Sequence, residues 1–168
     1  MNSNGIDFER YDTNLGIEYS SYASEKLGRD LWVVKRSFNY WLDGGQSRRV
    51  SVPAGYLTDG ASVPRLLWGV VPPWGKYGQA AVMHDWLCEY LKVWDGSKWE
   101  NINREQCDKL FLEGMETLGV GKILRVSMYA AVTAYSHLNS IVYQSFDPSK
   151  HEIEKELLSN YQQTGNWM

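Results

Sequence analysis

Residues 79–118, QAAVMHDWLCEYLKVWDGSKWENINREQCDKLFLEGMETL, decide how this chain is read. In Gln79–Trp94 the apolar residues Ala80, Met83, Leu87 and Leu91 recur at helical spacing and form one stripe. The run Asp95-Gly96-Ser97-Lys98 is a turn signal. Asn103 then offers an N-cap to a second helix with Cys107, Leu110, Phe111 and Leu118 on its apolar face, and Gly119 and Gly121 are its C-terminal stops. A connection this short predicts antiparallel neighbours. The middles of the two helices then lie side by side, which brings Asp108 toward His84. Asp85 points about 100° away from His84 on the first helix, so both can reach one concave wall but not each other.

Working outward, a third helix is expected over roughly 123–143, completing a helical core at 79–145. Asp147-Pro148-Ser149 breaks it, and a last, more exposed helix follows at 148–162. Upstream, residues 59–78 are dense in proline and glycine, the composition of a loop with a defined shape, and Ser62 can cap a short helical turn at Pro64–Gly69. Before that, LWVVKRSFNYWL (Leu31–Leu42) is rich in β-branched and aromatic residues, Asp43-Gly44-Gly45-Gln46 is a turn, and Val50 and Val52 alternate with Ser51. This predicts a β-hairpin over 30–58. Residues 1–29 read as an irregular arm with one short strand near Gly16–Tyr22. The fold class expected is a single α+β domain: an N-terminal β-hairpin or small antiparallel sheet packed on a C-terminal bundle of three to four helices.

The bulk properties narrow the function. At 168 residues and 43% hydrophobic the chain can bury one ordinary core. A net charge of -3 lacks the electrostatic footprint of a nucleic-acid binder, and Arg48-Arg49 is too small a basic patch to supply one. No segment has the length of a membrane span, and the N-terminal MNSNGIDFERYD lacks the basic-then-apolar pattern of a signal peptide. Eight Trp and eleven Tyr are the outlier. They predict an aromatic core or, in a sharper reading, a sugar- or partner-binding surface carrying Trp68, Trp74, Trp94 and Trp99. Cys88 and Cys107 fall on neighbouring helices, so one bridge is conceivable if these pack, with free thiols the default.

The chemistry concentrates at the two helices and the loop before them. A carboxylate behind an imidazole fixes its tautomer and stabilises the protonated ring, so Asp108 would make His84 a general base. Asp85 would bind a hard cation or order the preceding loop, and Asp59 is a second carboxylate source. Gly60 allows close backbone approach. Arg104, four residues before Asp108, would pair with an acid or bind an anion, and Arg65 is a similar candidate. A purely structural polar network would use the same residues. His137 and His151 have no neighbouring ligand pattern. A zinc centre at His84, Cys88 and Cys107 lacks a usual fourth ligand, and a metal-dependent phosphohydrolase would need a histidine upstream of His84, where there is none.

Four strings, VPAGYLTDGASVPRLLW (52–68), PPWGKYGQAAVMHDWL (72–87), REQCDKLFLEGMETLGV (104–120) and RVSMYAAV (125–132), resemble an uncharacterised family found in tailed bacteriophages and prophages. The likeness covers about Val52 to Ala134 and implies a phage origin, and with it a location in the host cytoplasm or a virion, without an activity. Where that family usually shows Tyr after HDWL, this chain has Cys88, with Tyr90 close by. The two helices alone also resemble the catalytic helices of calcium-dependent secreted phospholipases and the related domain of parvovirus capsids. That resemblance implies His84 as base, Asp108 as its orienting carboxylate and Asp85 as a calcium ligand. Backbone carbonyls would come from Trp74–Gly78 or Thr58–Ser62, which is how Trp74, Tyr77 and Ser62 enter the binding set.

Three functions follow as expectations. One is a metal-assisted hydrolase acting on a lipid or cell-wall ester or amide, with Asp85 and Asp59 holding a divalent cation. Another is a virion or accessory component whose polar cluster locks the loop and whose aromatic surface meets other virion or host proteins. The third is a phage factor binding a host protein or signalling molecule.

Overall fold

The computed structural model describes residues 10–44, 47–60, 75–138 and 146–168. In chain order the elements are β1 (Ile17–Tyr19), α1 (Ser21–Leu27), β2 (Trp32–Val34), β3 (Phe38–Trp41), β4 (Arg49–Val52), β5 (Leu57–Thr58), α2 (Gly78–Tyr90), β6 (Lys92–Trp94), β7 (Trp99–Asn101), α3 (Arg104–Thr117), α4 (Lys122–Leu138) and α5 (Pro148–Thr164). This is the α+β class expected, with small antiparallel sheets in the N-terminal half and helices in the C-terminal half. The strands form two sheets, β1-β2-β5 and β3-β4-β6-β7.

The hairpin at the Asp43 turn is present: β3 pairs β4 with Phe38 opposite Val52 and Trp41 opposite Arg49. Asp43 accepts from the Ser47 and Arg48 amides and so closes the turn. Leu31–Leu42 is not one strand, however. It splits into β2 and β3, which lie in different sheets. The reason is that two cores compete for it. Val33 and Leu31 bury with Ala23, Leu57, Ile153 and Leu157, whereas Phe38 and Tyr40 bury with Val82, Met83, Trp86 and Leu87 of α2. The arm is also more ordered than its composition suggests. The Ser20 hydroxyl caps α1 by accepting from Ala23 N at 3.1 Å, and Gly28 ends it at a positive φ of 67°.

The first long helix stops earlier than its apolar stripe implies. Leu91 takes a left-handed conformation at the C-cap of α2, and Lys92–Trp94 turns into a strand. The Asp95 carboxylate accepts from the amides of Ser97 and Lys98, each at 2.8 Å, which closes a β6–β7 hairpin where only a turn was expected. Beyond it, Asn103 and Gln106 form a reciprocal capping box at the start of α3, as the Asn103 signal predicts. Asp147 caps α5, with Pro148 in the first turn.

The α2–α3 approach is close because Gly114 lies at the crossing. A Cβ there would sit 2.6 Å from the Tyr11 hydroxyl, 2.9 Å from Met83 Cε and 3.3 Å from Ala80 Cβ. Among the described residues no helix is long and apolar enough to cross a membrane.

Candidate functional site

The two helices bring His84 and Asp108 together as their spacing predicts. His84 Nε2 and Asp108 Oδ1 are 2.7 Å apart, and the side chains are 2% and 1% exposed. The imidazole stacks on Phe111 one turn further along α3, with ring centroids 4.7 Å apart, which fixes the ring plane. Burial pulls the His84 pKa below its ordinary value, against the opposing pull of Asp108. A neutral ring satisfies the carboxylate only in the tautomer that carries its proton on Nε2, and in that tautomer the lone pair is on Nδ1. Arg104 Nε stands 3.7 Å from the same Asp108 oxygen, the i,i+4 pair its spacing suggests. Asp108 Oδ2 is buried with no hydrogen-bond partner among the described residues.

Cys88, one turn after His84 on α2, places Sγ 3.4 Å from His84 Nε2. It occupies the flank of the imidazole, while Tyr90 packs between Trp86 and Phe146 and does not take up that place. The helices do pack, yet Cys88 and Cys107 are both free thiols. Burial and the neighbouring Cys107 push the Cys88 thiol well up, so it is not a thiolate nucleophile near neutral pH.

Asp85 and Glu89 form a second face of α2, one turn apart and directed at β5 and α5. Thr58 Oγ1 donates to Asp85 Oδ2 at 2.6 Å, which ties the start of the Pro/Gly-rich segment to the helix. Asp59 pairs with Arg29 at 3.2 Å. Ser62, Arg65, Trp68 and Trp74 lie outside the described residues. Tyr77 is buried at the N-cap of α2, in the cluster of Ala80, Ala81, Phe111 and Met115. No set of three or more His, Cys, Asp or Glu side chains capable of holding a metal forms among the described residues.

Sequence reasoning missed a buried charge network beside Asp85. Lys150 Nζ pairs with Glu89 Oε2 and, at 3.5 Å, with Glu154 Oε1, and it lies 3.9 Å above the Tyr56 ring. The Tyr56 hydroxyl donates to Glu89 at 3.1 Å, and Leu57 N donates to Glu154 at 2.9 Å. His151, read as a bystander, lies 3.4 Å from Glu154. Burial raises the pKa of both Glu154 and Tyr56. The one signal available was Lys150 and Glu154 four apart, which on a surface helix is an ordinary ion pair.

Residues 32–132, which include the His84–Asp108 pair and its loop, match the family described as "Protein of unknown function (DUF1353)". The chain belongs to this family. DUF1353 thus spans β2 to α4 and leaves α5, with Lys150 and Glu154, beyond the matched region. The chain is also similar to "Uncharacterized protein y4jT" of Sinorhizobium fredii (strain NBRC 101917 / NGR234), 29% identical over 109 residues. That likeness covers 64% of this chain and 29% of the length of the relative. No solved structure matches the chain.

Proposed function

We propose that this DUF1353 protein is a hydrolase of lipid or cell-wall esters or amides, with His84 as general base and Asp108 as the residue that orients it. What carries this reading is the pairing of Asp108 with Nε2, which puts the lone pair of a neutral, ring-stacked imidazole on Nδ1. In the step, a water gives its proton to Nδ1 while its oxygen adds to the carbonyl carbon. The tetrahedral intermediate then collapses, and the leaving oxygen or nitrogen takes the proton back from His84. Asp108 holds the ring through both transfers and stabilises the imidazolium between them.

The described side chains do not by themselves make a metal centre, since Asp59 is engaged by Arg29 and Asp85 by Thr58. Whether Asp85 binds calcium is read from turnover with calcium against turnover with chelator. The phage origin and virion or host-cytoplasm location rest on the TDGASVPR and HDWL strings and belong to the same proposal.

A second reading is favoured by the burial of the pair, 2% and 1% exposed. In it, His84–Asp108 and Thr58–Asp85 lock the loop and helices of a non-catalytic virion or accessory protein.

The test is release of acid, alcohol or amine from anionic phospholipid vesicles, short-chain esters and purified cell wall, with calcium or with chelator. The hydrolase reading expects turnover that His84→Gln lowers roughly 100-fold or more at unchanged circular dichroism. Turnover by wild type on none of the substrates, with His84→Gln changing only the melting temperature, establishes the lock instead.

A further inference from the structure

The register of the four-stranded sheet sets four residues in one line across all its strands. Trp41 of β3 is opposite Arg49 of β4, Arg49 is opposite Trp94 of β6, and Trp94 is opposite Trp99 of β7. Directly opposed residues share a face. The alternate residues Tyr40, Val50 and Val93 are buried in the core shared with α2, so the line runs along the other side of the sheet. It spans three strand spacings, roughly 14 Å.

One cation, Arg49, stands in the line between Trp41 and Trp94, and a second, Lys92, lies beside it on β6, opposite Asn101. The Arg49 guanidinium lies 5.2 Å from the Trp41 ring centre and 5.7 Å from that of Trp94. Lys92 Nζ lies 4.8 Å from the Trp99 ring centre and 5.2 Å from that of Tyr90. Trp99 is 45% exposed. Arg49 is held in place along the same face: its Nε donates to Ser51 Oγ at 3.2 Å, Ser51 donates to Asn39 at 2.6 Å, and Asn39 donates to Asp12 at 2.6 Å. Only Nε is used in this chain of bonds, which leaves the two terminal guanidinium nitrogens as a fork.

Although the molecule carries a net charge of -3, no ion pair among the described residues involves Arg49 or Lys92, and the nearby Glu100 is taken by Arg48 at 2.8 Å. Solvent-facing sheet residues are ordinarily small and polar. Three tryptophans in register with Arg49, with Lys92 alongside and no ion pair to either cation among the described residues, depart from that pattern and mark a surface that meets something.

We propose that this face binds a linear anionic glycan lying across the strands, such as a cell-wall polysaccharide strand. The C–H faces of successive sugar rings would stack on the tryptophans, and carboxylate or phosphate groups would be met by the Arg49 fork and Lys92. A peptide adding to the β7 edge would run parallel to the strands and use backbone groups instead of this line. A nucleic acid would require a broader basic surface than two cations. The inference rests on the outer sheet face and not on His84.

The experiment is co-sedimentation of the intact chain with purified peptidoglycan carrying its anionic polymer, with soluble chitohexaose as a neutral competitor. Trp99→Ala and Arg49→Gln are expected to weaken binding about tenfold each. Arg48→Gln, one residue away but paired with Glu100, is expected to leave it unchanged. Binding should fall with salt and should survive His84→Gln, so that loss of the hydrolase reading and loss of this one are separable. Failure of wild type to sediment overturns the proposal. So does sedimentation unaffected by both Trp99→Ala and Arg49→Gln, or capture by an acidic protein partner in place of the glycan. Melting temperatures of Trp99→Ala and Arg49→Gln close to wild type confirm that the comparison is between folded proteins.

Discussion

His84 Nε2 meets Asp108 Oδ1 at 2.7 Å across two helices, 24 positions apart in the chain, with both side chains out of water. Removing the acceptor leaves a buried N–H without a partner and an apolar hole behind the ring. Asp108→Ala should therefore cost about 3 kcal/mol, whereas Asp108→Asn, whose amide oxygen still accepts from Nε2–H, should cost about 1 kcal/mol. Urea midpoints at constant slope give both numbers. Equal losses would show that the hydrogen bond is not what holds Asp108 in place.

The protonation of His84 has a signed consequence for stability. Its folded value lies below the unfolded one of about 6.5. Between the two, the unfolded chain binds more protons, so stability rises with pH through that window. The His84 contribution is complete above about pH 6.5 and is lost as pH falls toward the lowered folded value. Glu154, raised by burial, has the opposite slope in its own window above the ordinary carboxyl value. The difference between wild type and His84→Gln isolates the histidine. That difference should shrink on acidification, and nitrogen NMR should show a neutral Nε2–H tautomer at pH 7. An Nδ1–H tautomer would remove the base from the proposed mechanism.

Lys150 neutralises two carboxylates that would otherwise face each other out of water. Lys150→Met should cost about 3 kcal/mol, and Glu154→Gln on that background should recover part of it. Amides of α5 should gain exchange before those of α2 and α3, because the network is what ties this helix to Tyr56 and Glu89. Uniform exchange in all helices would indicate that α5 does not open as a separate unit.

Gly114 sits where α2 and α3 approach. Gly114→Ala gains about 1 kcal/mol of helix propensity but drives a methyl into Tyr11, Met83 and Ala80, an overpacking cost of about 1–3 kcal/mol. Because the nearest atom lies only 2.6 Å away, the upper end of that cost applies, and a net loss of about 2 kcal/mol is expected in thermal or urea unfolding. Gly121→Ala, where a Cβ meets nothing within 4 Å, should be neutral. If Gly114→Ala is equally silent, the helices are free to spread, and the His84–Asp108 distance is not enforced by packing.

Much of the helical half could be read directly. Asn103 announced the start of α3, because a capping side chain acts on amides two or three residues away and needs no distant partner, whereas Asp147-Pro148-Ser149 was legible as the break before α5 and not as its cap. The His84–Asp108 encounter was legible for a related reason: two amphipathic helices with a short connection have few ways to pack. Neither the split of Leu31–Leu42 between two sheets nor the end of α2 at Leu91 was legible, because the residues on both sides of each break suit either reading and the competing cores decide.

By itself the sequence determined the fold class, the α3 cap and the pairing of a histidine with an aspartate, all properties of local spacing. Tertiary structure alone decided that α5 buries Lys150 and Glu154 against Glu89 and that Trp41, Arg49, Trp94 and Trp99 stand in one line. These depend on strand register and helix docking, which set neighbours between residues that no period along the chain connects.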